Sequence, residues 1–306
     1  MSNAISTRPA CEPLTIRTAL DLARILLDEA GVESPHREAQ RLLAWSLRLK
    51  REDLAREPEM PVAGRGRIVF EKAVALRCER RPLHYITGEQ YFYGRPFKIN
   101  RAVLIPRSDT EIAVEAVLSA LRDTPQPKIA DVGTGSGCIA VTLACERPDA
   151  RLWATDLSEN ALKLARKNVA RHRVQDRLLL CHGDLLEPIV AEAPFDAIVS
   201  NPPYITQAEM PGLQPEVRDY EPALALSGLP GATGADGTDL HRRLIRDSLT
   251  ALAPHGRLIM EVGCGQAPAV VSACRQLGYD EVTVQEDLAG IDRIVTARKP
   301  TGKLRE

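Results

Sequence analysis

Asn201-Pro202-Pro203-Tyr204 combines groups suited to holding a planar NH2. It follows Phe195-Asp196-Ala197-Ile198-Val199-Ser200, an apolar run that reads as a buried strand. Two consecutive prolines cannot continue a central strand, because each lacks an N–H and fixes φ. The chain is therefore expected to leave the sheet at Asn201 as a stiff, extended segment. That segment offers two acceptors, Asn201 Oδ1 and the Pro202 carbonyl, and an aromatic face at Tyr204. The same tetrapeptide also reads as a proline-stiffened loop with a buried tyrosine, so what accompanies it matters.

A second motif is Asp131-Val132-Gly133-Thr134-Gly135-Ser136-Gly137. It lies between the strand-like Lys128-Ile129-Ala130 and the helix-like Cys138-Ile139-Ala140-Val141-Thr142-Leu143-Ala144-Cys145. Strand, glycine turn and helix make a nucleotide-binding layout: glycines admit a close ligand, and a helix start offers free N–H groups. The spacing is GxGxG; a dinucleotide fingerprint needs glycine or alanine where this chain has Cys138. Asp131 before the glycines suits an ammonium group better than a pyrophosphate, which favours a ligand with an amino-acid end. A tight structural turn is the alternative.

Further carboxylates follow at expected strand ends. Arg151-Leu152-Trp153-Ala154-Thr155 leads to Asp156, about 20 residues after the glycines, where a carboxylate can accept both ribose hydroxyl protons. Asp156 also reads as a helix N-terminal charge ahead of Ser158. Arg177-Leu178-Leu179-Leu180-Cys181 leads to His182-Gly183-Asp184. Asp184 is placed to accept from an exocyclic adenine amine, or is simply a turn aspartate.

These four features, in this order, resemble the S-adenosylmethionine-dependent methyltransferases that act on planar nitrogen, such as adenine N6 or glutamine N5. From about Arg81 to Arg298 the chain is similar, more closely, to the protein-(glutamine-N5) methyltransferases of bacterial peptide-chain release factors. Pro82-Leu83-His84-Tyr85-Ile86-Thr87-Gly88, Leu104-Ile105-Pro106-Arg107-Ser108-Asp109-Thr110-Glu111, Arg218-Asp219-Tyr220-Glu221-Pro222 and Leu226 carry that similarity with the two motifs. Ser108 departs from the family, which usually has proline there.

The resemblance implies S-adenosylmethionine as cofactor. Asp131, Gly133, Thr134, Gly135, Ser136 and Gly137 would border its methionine end, Asp156 its ribose and Asp184 its adenine, with Asn201 beside the methyl group. Arg107 to Glu111 would line the same mouth, with helix capping an alternative for Asp109. Asn201, Pro202, Pro203 and Tyr204 would bind the substrate amide, and Asn201, Pro202 and Tyr204 would carry the catalytic roles. The implied substrate is the glutamine of the release-factor Gly-Gly-Gln motif. An adenine-N6 methyltransferase acting on DNA or RNA is the alternative.

Composition narrows the field. A chain of 306 residues with 44% hydrophobic residues suggests two domains with an ordinary core. A formal net charge of −1 gives no global footprint for nucleic acid, so no stable nucleic-acid binding is expected. No apolar run reaches membrane-span length, and no secretory leader pattern stands at the N-terminus; a cytoplasmic protein is expected. The seven cysteines form no C-x-x-C pair, and the six histidines show no metal spacing, so no metal is expected.

The elements that must position these residues follow from periodicity. Ile16, Ala19, Leu20, Ala23, Leu26, Leu27 and Ala30 share one helical face, closed by Gly31. Ser34-Pro35 reads as N-cap and first position of a second helix. A third is expected from Gly66 to Arg81, its basic residues forming either a surface for an acidic partner or ribosomal RNA, or a solvated face. The aromatic run 90–99 reads as a β-hairpin. From about Thr110, helix and strand alternate, the pattern of a mainly parallel sheet. Helices are expected over 158–172, 239–252 and 266–277, strands over 257–262, 281–285 and 291–297, and a loop over 226–237. The expected class is α/β: a seven-stranded, Rossmann-like, S-adenosylmethionine-dependent methyltransferase domain (104–306), preceded by a small all-helical substrate-recognition domain (1–88) and a β-hairpin linker (89–103).

Overall fold

The structure, a computed structural model, describes residues 13–301, so the outer ends of the expected domain ranges lie outside the described residues. The helices are α1 (Ile16–Glu29), α2 (Pro35–Leu47), α3 (Arg51–Arg56), α4 (Gly64–Cys78), α5 (Leu83–Thr87), α6 (Glu111–Ala120), α7 (Cys138–Glu146), α8 (Glu159–His172), α9 (Pro215–Arg218), α10 (Ala223–Ser227), α11 (Asp239–Ala251) and α12 (Ala267–Gln276). The strands are β1 (Glu89–Phe92), β2 (Arg95–Lys98), β3 (Lys128–Val132), β4 (Arg151–Asp156), β5 (Leu178–His182), β6 (Phe195–Ser200), β7 (Leu252–Glu261), β8 (Asp280–Glu286) and β9 (Asp292–Arg298). Two compact units result. One comprises the chain up to Gly88 with Gln214–Tyr220; the other comprises Glu89–Leu213 and the chain from Glu221 onward.

In the helical unit, α1, α2 and α4 bury Ile16, Leu27, Leu42, Leu43, Phe70 and Val74 in one core. Thr15 starts α1 with a capping box to Thr18, which satisfies two N–H groups the helix cannot pair itself. Ser34 does stand at the N-cap of α2, but in a left-handed conformation and without a side-chain cap bond. The third helix starts two residues earlier and stops three earlier than expected. Arg80 has φ 63°, which no right-handed helix can carry through.

Two basic residues of that helix, Arg67 and Arg77, and Arg80 just after it are committed within this unit. Arg77, nearly fully buried, bonds Glu38 and also donates to Glu216 at 2.9 Å. Arg80 grips Glu216 with two bonds of 2.7 Å, and Arg67 pairs with Glu71 at 2.7 Å. The segment 214–220, far along the chain, thus completes the helical unit.

The second unit holds a seven-stranded mixed sheet in the order β5-β4-β3-β6-β7-β9-β8. β3 to β7 run parallel, and β9 lies antiparallel to both β7 and β8. Strands covered on both faces must be apolar on both, and alternate residues of β3 show it. Ile129 lies in the core layer that holds Val114 and Val117 of α6 and Val141 of α7, whereas Ala130 lies in the layer that holds Leu244 of α11 and Val270 of α12. β1 and β2 form the separate hairpin and seat Phe92 and Phe97 in the first of these layers. The expected loop 226–237 begins slightly late, since Leu226 and Ser227 end α10.

β3 has β4 on one side and β6 on the other, so the strand order reverses there. Such a switch point opens a crevice at the strands' C-terminal ends. Both motifs leave the sheet at that point.

Candidate active site

A cavity of about 360 Å³ opens over the switch point, and every residue lining it belongs to the sheet-containing unit. Gly133, Thr134, Gly135 and Ser136 form one wall, Asp156 and Asp184 another, and Asn201 and Pro203 a third. Gly135 has φ 56°, and a Cβ built there would meet nothing within 4 Å, so this backbone faces open space a ligand can fill.

The glycine loop is held from below and from the side. Asp131, fully buried at the end of β3, accepts at Oδ2 from Thr134 Oγ1 (2.6 Å) and from the Ala140 N–H (3.2 Å). Its Oδ1 is buried without a hydrogen-bond partner. Burial pushes the Asp131 carboxyl up to about 7, against the pull of those two donors. A buried acceptor without a donor fits an ammonium group.

Asp156 ends β4 and accepts from the Gly135 N–H at Oδ2 and the Ser158 N–H at Oδ1, both at 2.8 Å. Burial raises its carboxyl above the usual range, and those two N–H bonds resist the shift. Each oxygen keeps a lone pair for a diol. Ser158, not Asp156, caps α8, accepting from the Ala161 N–H. Asp184 stands after β5, but Arg243 of α11 already donates to its Oδ2 at 2.7 Å. An adenine amine would share this carboxylate with Arg243.

On the acceptor side, β6 pairs with β7 in register Ser200 to Met260, which brings Asn201 level with Glu261. Glu261 is 3% exposed and accepts from Thr110 Oγ1 at 2.6 Å. Thr110 Oγ1 in turn accepts from Asn201 Nδ2 at 3.3 Å. Burial pushes the Glu261 carboxyl up to about 7; Thr110, Arg293 and Asn201 oppose the shift and Asp109 adds to it. With Nδ2 engaged inward, Oδ1 is the atom left for a ligand. Gln266, the N-cap of α12, pins the proline segment by donating to the Tyr204 carbonyl at 3.0 Å. Burial, aided by Glu261, raises the Tyr204 phenol well above its usual range and keeps it neutral.

Thus Gly133, Thr134, Gly135, Ser136, Asp156, Asp184, Asn201 and Pro203 meet at one cavity. Asp131 lies buried beneath it, Gly137 is the N-cap of α7, and Pro202 is buried. Of the entry loop, Arg107 and Thr110 reach the cavity wall. Asp109 caps nothing with its side chain and lies 3.9 Å from Arg293. Glu221 is buried and accepts from the Ile105 N–H (3.0 Å) and Arg107 Nη2 (2.5 Å), tying that loop to the chain after α9. The sequence pattern places Glu261, Gln266 and Arg243 only within an expected strand and two expected helices. The signal at Glu261 was a carboxylate closing the apolar run 257–262.

Comparison with known proteins identifies the family. Residues 18–88 match the family described as PrmC N-terminal domain, and residues 106–213 match Methyltransferase small domain. A release factor glutamine methyltransferase of Nitratidesulfovibrio vulgaris is 41% identical over 287 residues, which is 93% of this chain and 95% of that protein. The chain belongs to the release factor glutamine methyltransferase family. Another member, from Moorella thermoacetica, is 44% identical over 287 residues, covering 93% of this chain and 98% of its own.

Among solved structures, the hMettl16 catalytic domain in complex with MAT2A 3'UTR hairpin 6 is similar with a TM-score of 0.54 and 17% identity, covering 78% of this chain and 83% of that one. At that identity it supports the fold alone. Membership in the release factor glutamine methyltransferase family does not favour the adenine-N6 alternative. Among the described residues no helix is long and apolar enough to cross a membrane, and no group of three or more His, Cys, Asp or Glu could hold a metal ion.

Proposed function

We propose that this chain transfers a methyl group from S-adenosylmethionine to the side-chain N5 of the glutamine in the Gly-Gly-Gln motif of peptide-chain release factors. The observation that carries this reading is the meeting of the two motifs. A Cβ on Gly133 would lie 4.0 Å from the Asn201 backbone oxygen, so a ligand on the glycine loop lies beside the proline segment.

The residues present fit S-adenosylmethionine. Asp131 offers a buried acceptor for its ammonium, Gly135 an open backbone, and Asp156 two partly free oxygens for the ribose. When bound, it supplies an electrophilic methyl group. Asp184 would lie near the adenine, sharing its charge with Arg243.

The chain's own residues must make an amide nitrogen react. That nitrogen is a poor nucleophile, because its lone pair is delocalised into the carbonyl. Asn201 Oδ1 and the Pro202 carbonyl accept its two N–H protons and hold it in line, a positioning effect that can supply several kcal/mol. The same acceptors stabilise positive charge developing on nitrogen. Pro203 stiffens the segment, and Tyr204 contacts the planar amide or the growing charge. Asn201 is not a base, since an amide does not take a proton near neutrality.

The helical unit serves substrate recognition in this reading, since one glutamine side chain gives too little contact for selectivity. The partner is a release factor in the cytoplasm, without stable nucleic-acid binding. The test is mass spectrometry of a purified release factor after incubation with this protein and labelled S-adenosylmethionine. A single methyl group on the Gly-Gly-Gln glutamine is the expected result. An unmodified factor, with the cofactor shown to bind, would refute the assignment.

A further inference from the structure

We propose that Glu261 is a positioning residue for methyl transfer: acting through Thr110, it sets which end of the Asn201 amide faces the substrate. The proposal rests on the reading of Asn201 as the acceptor of the substrate N–H.

An ionised carboxylate only accepts hydrogen bonds, and a hydroxyl has one proton. With Glu261 Oε2 at 2.6 Å, Thr110 Oγ1 gives its proton to Glu261. Its lone pairs are then left for a donor, and at Asn201 the donor is Nδ2, at 3.3 Å. The chain of bonds therefore has one direction, and it ends with Asn201 Oδ1 toward the cavity. An amide at position 261, or a protonated acid, removes that direction. It could donate to Thr110, whose proton would turn to Asn201 Oδ1. The Asn201 NH2 would then meet the substrate NH2, two donors face to face.

The surroundings of Glu261 give it no other evident role. Arg293 of β9, the cation that favours its charge, donates instead to Asp287 at 2.8 Å. His241 of α11 meets the Glu261 backbone carbonyl at 2.8 Å rather than its carboxylate, and burial favours the neutral ring. Asp109, before α6, opposes the Glu261 charge, and Tyr204 presents a neutral phenol. A carboxylate 3% exposed and without an ion pair among the described residues is costly to the fold, yet its side chain is directed into the hydrogen-bond chain of Asn201. Thr110 and Asn201, whose amide also favours the Glu261 charge directly, stand between it and the cavity, so it acts through them and not on the substrate.

The test compares Glu261→Gln, Thr110→Val, Thr110→Ser and Asn201→Ala on an intact release factor at saturating S-adenosylmethionine. Expected for Glu261→Gln is a fall in kcat of about tenfold or more with cofactor Kd within about twofold of wild type. Wild-type kcat should rise with pH through about 7, where Glu261 ionises, and Glu261→Gln should lose that rise. Thr110→Val should reproduce much of the Glu261→Gln defect, the direct Asn201–Glu261 contact keeping the rest; Thr110→Ser should restore most of the turnover, and the Glu261→Gln/Thr110→Val pair should be little worse than Glu261→Gln alone. If Glu261→Gln keeps the wild-type kcat and pH profile while Asn201→Ala is inactive, the proposal is wrong and the reading of Asn201 stands. If Asn201→Ala is also fully active, that reading fails too. Should Glu261→Gln not fold, equal turnover in Thr110→Val and Thr110→Ser overturns the proposal, and a large gap between them supports it.

Discussion

Asp156 Oδ2 accepts the Gly135 N–H at 2.8 Å, so the carboxylate ending β4 also holds the loop that follows β3. One residue thereby shapes the cavity and offers its free lone pairs to a ribose. Asp156→Ala should weaken S-adenosylmethionine and S-adenosylhomocysteine alike, since both carry the ribose. A lost charge-assisted bond costs about 1.5–3 kcal/mol, or roughly ten- to a hundredfold in Kd by calorimetry. Unchanged Kd for both ligands would remove Asp156 from the ribose site.

Asn201→Ala deletes an acceptor for the substrate amide but no bond to the glycine loop. Turnover should fall by roughly a hundredfold or more, the scale seen when one preorganised polar group is removed from a transition state. Cofactor affinity should stay within about twofold. A matching loss in cofactor binding would point instead to collapse of the cavity wall.

Asp131 predicts a conflict between stability and binding. Its carboxyl lies near 7 in the fold against an ordinary 3.8, so the folded state holds the proton more tightly. The stability this gives is present below the unfolded value and is lost as pH rises through about 7. Asp131→Asn keeps an acceptor for Thr134 and Ala140 without the charge. In urea unfolding of the ligand-free protein, its stability relative to wild type should therefore improve from about pH 5 to pH 8. The same variant should bind S-adenosylmethionine more weakly. A pH-independent stability difference would show that Asp131 ionises freely.

Gly237 stands against the segment that carries Tyr204. It has φ 77°, and a Cβ there would fall 2.3 Å from the Tyr204 carbonyl and 2.1 Å from Gln266 Nε2. Gly237→Ala should displace that segment and lower turnover by about tenfold or more while the cofactor still binds. Gly231→Ala is the control: φ is 80°, but nothing lies within 4 Å, so only about 1 kcal/mol of stability should be lost, with activity kept.

Glu216 joins two arginines inside the helical unit. Removing one partner of a buried pair costs about 3–5 kcal/mol, and Glu38 remains to Arg77, so Glu216→Ala should cost about 3 kcal/mol of stability. Hydrogen exchange should quicken in 64–88 and 214–220, with cofactor affinity unchanged. Slow exchange in both segments would mean the pairs contribute little.

The residues legible in the sequence were those that interrupt a pattern. Asn201 ends an apolar strand at two prolines, Asp156 ends another before a helix, and the glycines open α7; each break has a local physical cause. Glu261 and Gln266 were not legible as site residues, because their roles depend on register and packing. Glu261 comes level with Asn201 only because β7 lies beside β6, it meets Thr110 only because α6 packs on β7, and Gln266 reaches Tyr204 only through the placement of α12. Asp109 stood in the pattern as a mouth residue with a helix cap as the alternative, but its side chain is absent from the cavity wall and lies toward Arg293 of β9. The docking of 214–220 is tertiary, since Glu216 meets arginines more than a hundred positions away.

That segment makes the helical unit discontinuous in sequence, and the consequence concerns inheritance and exchange. The unit cannot be swapped between relatives as a single N-terminal cassette. A chimera joined at Gly88 would bring new helices to an old Glu216 and an old Tyr220, whose hydroxyl bonds the Glu79 carbonyl at 2.6 Å. A hybrid that keeps these ion pairs and the Tyr220 bond must carry both pieces from one parent.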